Sequence, residues 1–266
     1  ARLPASLILI SPAVSLHRGA ALAGFKRRLS NVPGLGGMAW LQVLPEFDPY
    51  KYNSFATNAA EQVYGVTSSV SGRMASRARS GSLAAFPPTL VFKSTVDATV
   101  STNAVVDNLL ARLAPERNEL VLFDVNRLAV KSILMTEDPG PLTDRVMNDA
   151  DLPFAVTLVT NEDPRNTQLV ARHKTPFSAE VSRTEALDLA WPRGVISLSH
   201  VALPFPPDDP LYGQRPPETE EVLFLGEMAI QGERGMLKLP DSWLLRLRYN
   251  PFYDYLERRT LDWLKG

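Results

Sequence analysis

The chain has 266 residues and 29.3 kDa, with 28 basic against 29 acidic side chains, a net charge of −1, and a 45% hydrophobic fraction. It has the make-up of an ordinary globular protein able to bury a substantial core, and its balanced charge gives no general attraction to nucleic acid or an anionic membrane. The absence of cysteine excludes disulfides, thiolate zinc sites and thiol nucleophiles, and no run approaches the ~20 apolar residues that cross a bilayer.

Ser6–Pro12 (SLILISP) opens the chain as a continuous apolar run ended by proline, the pattern of a strand buried on both faces of a parallel sheet. The start reads as such a strand rather than as a signal peptide, because a basic leader of proper length is missing. Arg18–Leu29 predicts an amphipathic helix, Asn31–Gly37 a loop, and Glu46–Ser54 an aromatic-rich irregular stretch. From Ser54 to about Arg79, the spacing of Phe55, Ala59, Val63, Val66, Val70 and Met74 predicts a helix with breaks near Gly65 and Gly72. Arg73, Arg77 and Arg79 lack interleaved aromatics and read as a solvated helix face.

Pro88–Lys93 is the next buried strand, followed by a helix over Thr102–Leu113 with Ser101 as its cap. Glu119–Asp124 is a third strand, and Arg127–Ala150 is mixed with one short helix. Phe154–Thr160 and Gln168–His173 read as strands joined by the turn-forming NEDPRN, and Ile196–His200 as the last strand. Six prolines between Pro204 and Pro217 predict an extended surface loop. Asp241–Leu264 is helical in two pieces broken at Asn250-Pro251, with Trp243, Phe252, Tyr253, Tyr255 and Trp263 docking on the body. The alternation predicts an α/β fold: a mainly parallel sheet flanked by helices, with an added β-hairpin.

Two residues carry the candidate chemistry. Asp97 follows a buried strand, so it lies at the carboxyl edge of the sheet, where open α/β folds bind ligands. It can orient an imidazole there, or it can cap a helix or close a turn. His200 ends a strand ahead of the proline-rich loop, and its ordinary pKa near 6.5 suits a general base; a structural hydrogen bond to backbone is the other reading. The acid precedes the base by 103 residues, the order Ser…Asp…His of α/β-hydrolases. No glycine has a serine two positions away on either side, so the Gly-x-Ser-x-Gly nucleophile turn is absent. Ser54, Ser68, Ser69 and Ser71 lack its small neighbours. His17 and His173 read as surface residues; no histidine spacing fits a metal, the Asp208-Asp209 pair reads as a turn, and no cofactor is expected.

Three segments carry a family resemblance. SLILISPAVS is similar to the α/β-hydrolase strand that follows the nucleophile turn, LVFKSTVDATVS to the next strand with its acid loop, and ISLSHVALPFPPDDPLYG to the histidine loop of bacterial esterase/lipase-like hydrolases. LPEFDPYKYNSFATNAAEQVY resembles that group's cap-like insertion, here about residues 40–85 of one domain spanning 1–266. The likeness covers roughly residues 5–215. It implies that Asp97 is the triad acid and His200 the base, that Phe47, Tyr50 and Phe55 (with Tyr52) line an apolar substrate pocket, and that a small-molecule ester is the substrate. The family's early strands, oxyanion loop and serine would precede Ala1. The resemblance therefore implies the carboxyl-terminal part of a serine ester hydrolase, inactive by itself, or a relative that has lost catalysis. The alternative is a non-catalytic module binding a small apolar ligand or a partner protein through residues 203–217. Compartment (bacterial cytoplasm or envelope) and oligomeric state are open.

Overall fold

The structure, a computed structural model, describes residues 3–15, 22–50, 52–81, 83–97, 100–115, 117–127, 134–136, 138–191, 201–218, 224–226, 238 and 247–266. In chain order the elements are β1 (Leu7–Ile10), α1 (Ala23–Leu29), β2 (Trp40–Gln42), β3 (Phe55–Ala56), α2 (Thr57–Arg79), β4 (Thr89–Ser94) and α3 (Thr102–Asn108). They continue with β5 (Asn118–Asp124), α4 (Gly140–Asn148), β6 (Ala155–Asn161), β7 (Gln168–Lys174), β8 (Val181–Ala190) and α5 (Tyr253–Lys265).

The main sheet has six strands in the order β1-β4-β5-β6-β7-β8. The first four are parallel, in a register that sets Leu9 beside Val91, Val91 beside Leu120 and Leu120 beside Val156. β7 and β8 are antiparallel additions. Because β1, β4, β5 and β6 advance across the sheet in one direction, crossovers of one hand put their helices on one face. Accordingly α3 (Val105, Val106) and α4 (Val146) share a core with Val91, Leu120 and Val156, with Met74 and Ala78 of α2 packed on its margin. The opposite face (Leu90, Phe92, Val121, Phe123, Val159) is covered by α5 and the segment before it. There Phe252 packs on Phe123, ring centroids 4.7 Å apart, and on Trp191 at 5.4 Å. This is an α/β architecture with helices on both faces of a mainly parallel sheet.

Several expectations need adjustment. The helix expected over Arg18–Leu29 is described from Ala23 to Leu29, residues 16–21 lying outside the described set. Residues 54–56 do not join α2: Phe55–Ala56 pairs with Trp40–Gln42 as a small hairpin. α2 then runs unbroken through Gly65 and Gly72 for 23 residues, since an isolated glycine costs a helix only ~1 kcal/mol. The helix expected to Leu113 ends at Asn108 and tightens into a 3₁₀ turn at Leu110–Arg112; Ser101 caps it, its Oγ accepting from Ala104 N–H at 3.2 Å. β1, expected between neighbours, is an edge strand among the described residues, with Ile10 48% exposed. The strand expected over Ile196–His200 lies outside the described residues. β8 had not been expected at all. Of the two C-terminal helical pieces the second is present, starting after Pro251, where Asn250 Oδ1 accepts Phe252 N–H at 3.0 Å; Trp243 falls outside the described set. Phe252, Tyr255 and Trp263 are buried as anticipated. Among the described residues no helix is long and apolar enough to cross a membrane.

Candidate functional site

The carboxyl edge of a parallel sheet is where successive strands release loops, and here the ends of β1, β4 and β5 deliver Ser11, Asp97 and Asp124. Asp97 lies three residues past β4. Its Oδ1 accepts Val100 N–H at 3.0 Å, and its Oδ2 forms an ion pair with Lys93 Nζ. The turn-closing reading therefore holds: one oxygen shapes the turn into α3, and the other meets a cation.

Sequence reading had passed over Lys93. It sits inside β4, its side chain 0% exposed while that of Asp97 is 18% exposed, and a lysine in a strand carries no marker of burial by itself. The only hint was its place four residues before an acid. Asp124, the second carboxylate at this edge, is saturated. Arg127 Nε meets both its oxygens at 3.0 and 2.9 Å, Thr143 Oγ1 donates at 3.1 Å, and Thr95 Oγ1 lies 3.4 Å away. It secures the β5 edge and has little capacity left for an imidazole.

His200 and His17 both fall outside the described residues. The segment directly after His200 is well placed. Val201 is buried in the α5-side core, its carbonyl accepts Asn250 Nδ2–H at 3.4 Å, and Phe205 carbonyl accepts Asn250 N–H at 2.7 Å. Beside it stands a buried pair that the sequence did not disclose: Asp48, its side chain 0% exposed, and Arg248, 3% exposed, at 3.1 Å. Tyr212 hydroxyl also donates to Asp48. Burial first, and then this hydrogen bond, push the Tyr212 phenol far above its ordinary range.

Of the expected pocket residues, Phe47 lies under the Arg248 guanidinium at 5.4 Å, and Tyr50 meets Tyr212 edge-on at 6.3 Å. Tyr50 thus meets the segment that follows His200, and Phe47 meets Arg248. Phe55 does not join them; it is half exposed on the β2–β3 hairpin. The proline-rich stretch is less extended than expected: Tyr212 is buried against Phe205, centroids 4.2 Å apart. Residues 207–218 enclose a cleft of about 390 Å³ lined by Pro207, Pro210, Arg215 and Glu218. Asp209 closes a turn there, its Oδ1 accepting Leu211 and Tyr212 N–H at 2.9 and 2.8 Å.

Two of the serines considered earlier, Ser54 and Ser71, are structurally engaged. Ser54 Oγ bridges Leu44 N–H and carbonyl at 3.0 and 3.1 Å, and Ser71 Oγ donates to Val14 carbonyl at 2.5 Å. Ser11, not weighed from sequence, ends β1 with φ +45°, a left-handed conformation that non-glycine residues seldom adopt.

His173 corrects a surface reading. It is partly buried between β6 and β8, its Nδ1 2.9 Å from Thr157 Oγ1. Because that hydroxyl donates to Glu119 at 2.6 Å, it accepts from Nδ1–H; Nε2 then accepts from Arg183 at 3.2 Å. These contacts fit a neutral ring with its proton on Nδ1, although Glu185 Oε2 also stands 3.5 Å from Nε2. Burial, then the Arg183 charge, hold its pKa below the ordinary value. It stands on the α5 side toward the amino ends of the parallel strands, away from Asp97. Among the described residues no cluster of His, Asp or Glu could hold a metal ion.

No family model, curated protein or solved structure matches the chain.

Proposed function

We propose that this chain is the acid- and base-bearing portion of a serine carboxylic-ester hydrolase of the α/β-hydrolase type, its serine supplied from outside these 266 residues. The observation that carries the reading is Asp97: a partly exposed carboxylate held at the carboxyl edge of a central parallel strand by Val100 N–H and Lys93. Serine attacks the ester carbonyl as His200 Nε2 takes its proton, and Asp97 accepts Nδ1–H and stabilises the imidazolium. The tetrahedral intermediate expels the alcohol, which leaves with that proton. Water, activated by the same imidazole, then releases the acid. Residues 40–85 act as a cap, with Tyr50 against Tyr212, Phe47 against Arg248 and Phe55 on the outer hairpin. The non-catalytic reading draws support from the 207–218 cleft, whose Asp208, Arg215 and Glu218 suit a polar peptide better than an apolar ligand.

Histidine titration by NMR tests the pairing without needing turnover. A carboxylate within ~4–6 Å raises an imidazole pKa by about one unit or more, so Asp97→Asn lowers that of His200. Lys93→Met/Asp97→Asn makes the same comparison without leaving a buried ammonium beside a neutral amide. An unchanged His200 pKa in both refutes the pairing. The chain alone is expected to turn over no p-nitrophenyl ester; turnover surviving Ser11→Ala, Ser54→Ala and Ser71→Ala would refute the placement of the nucleophile.

A further inference from the structure

Arg248 precedes Asn250 in the segment that leads into α5, and its side chain is 3% exposed. A guanidinium carries its N–H donors in a rigid planar fork and accepts nothing. Here Nη1 donates to Asp48 Oδ2 at 3.1 Å, and the guanidinium carbon lies over the rings of Phe47 and Tyr212 at 5.4 and 5.7 Å. Nε and Nη2 are also buried, and neither has a partner among the described residues. Arg248 is the one described side chain with two such atoms. They act together, because Nε–H and one Nη2–H run parallel along a single edge of the group, the edge that takes both oxygens of a carboxylate. Buried charged donors without acceptors are costly and rare.

We propose that the Nε–Nη2 edge of Arg248 binds the carboxylate of a small organic ligand, so that the substrate is an ester carrying a free carboxylate remote from the bond that is cleaved. The substrate assignment rests on the hydrolase reading; the affinity for a carboxylate does not. Three features select this ligand. The fork matches two coplanar oxygens, which a single neutral carbonyl does not supply. Asp48, its side chain 0% exposed, already balances the guanidinium, so the interior tolerates a monoanion better than the second charge of a phosphate. The position is also suited to a substrate. Asn250, two residues on, donates to the carbonyl of Val201, which follows His200, at 3.4 Å, and Tyr212, which shares Asp48 with Arg248, belongs to that same segment. Entry is past Phe47, which lies against the guanidinium and is itself 40% exposed.

Monomethyl succinate and dimethyl succinate are matched probes, alike but for one carboxylate. Titrated into the chain at constant ionic strength, the half-ester is expected to bind saturably and to shift the Arg248 Nε–H resonance in a proton–nitrogen correlation spectrum, while the diester does neither. Arg248→Lys keeps the charge beside Asp48 but not the fork, and weakens half-ester binding about tenfold or more. Should that variant fail to fold, the two probes on the native chain decide alone. Equal binding of the diester, an unmoved Arg248 Nε–H resonance, half-ester affinity unchanged in a folded Arg248→Lys, a preference for inorganic phosphate, or no saturable binding would overturn the proposal. If the half-ester binds at Arg248 while the Asp97 substitutions leave the His200 pKa unmoved, the hydrolase reading fails and the carboxylate site stands. If only the His200 pKa moves, the carboxylate site fails and the hydrolase reading stands.

Discussion

Replacing Asp97 by asparagine separates the charge of this residue from its shape. Asparagine keeps an acceptor for Val100 N–H, so the turn into α3 survives, but Lys93 loses the anion beside a side chain that is 0% exposed. Removing one partner of a buried ion pair costs about 3–5 kcal/mol. Asp97 is 18% exposed, and water softens its end of the pair, which places the loss near the bottom of that range, about 3 kcal/mol. For a chain of this size that is a fall in melting temperature of roughly 6–12 °C. Lys93→Met costs less, about 1–2 kcal/mol, because the carboxylate keeps its backbone donor and some solvent. The double variant, with no ammonium left in the interior, is more stable than Asp97→Asn alone. Urea unfolding of all four proteins measures the coupling. An Asp97→Asn loss below about 0.5 kcal/mol, or a double variant as unstable as the sum of the singles, would refute the claim that a buried charge pair organises this loop.

His173 supplies a pH test. It is held neutral in the fold, with its pKa depressed, so its contribution is complete above the unfolded value of about 6.5 and is lost as pH falls toward its folded value. Relative to His173→Gln, the wild type therefore loses stability below about pH 6.5; parallel pH profiles would show that the imidazole is not held neutral. Phe252, 1% exposed between Phe123 and Trp191, anchors α5 to the sheet. Phe252→Ala is expected to cost about 3–5 kcal/mol in chemical unfolding; a loss under about 1.5 kcal/mol would mean that α5 is docked by other contacts.

The central strands were legible because TLVFKS and ELVLFD are nearly unbroken apolar runs bounded by proline and aspartate, the mark of burial on both faces. β8 was not legible, because most of its ten residues face solvent and only Leu187 is buried, so it lacks a hydrophobic signal. Periodicity gave α2 as a helix but not its orientation. The spacing of Val63, Val66 and Val70 is the same whether the stripe meets a core or, as here, solvent. Asp97 could be read as an edge carboxylate from the strand before it. Lys93 could not, since its burial depends on a pairing that only the turn creates. The Asp48–Arg248 contact, spanning 200 residues, has no local trace at all.

The two rims of the main sheet meet solvent differently. Along β8 the exposed Arg183, Glu185 and Asp188 interrupt the backbone ladder with charge, the usual defence against strand addition. Along β1 stand only Leu7, Ile8, Leu9 and Ile10. Among the described residues, a further strand joining this sheet would therefore meet less charge at the leucine-isoleucine rim than at the β8 rim.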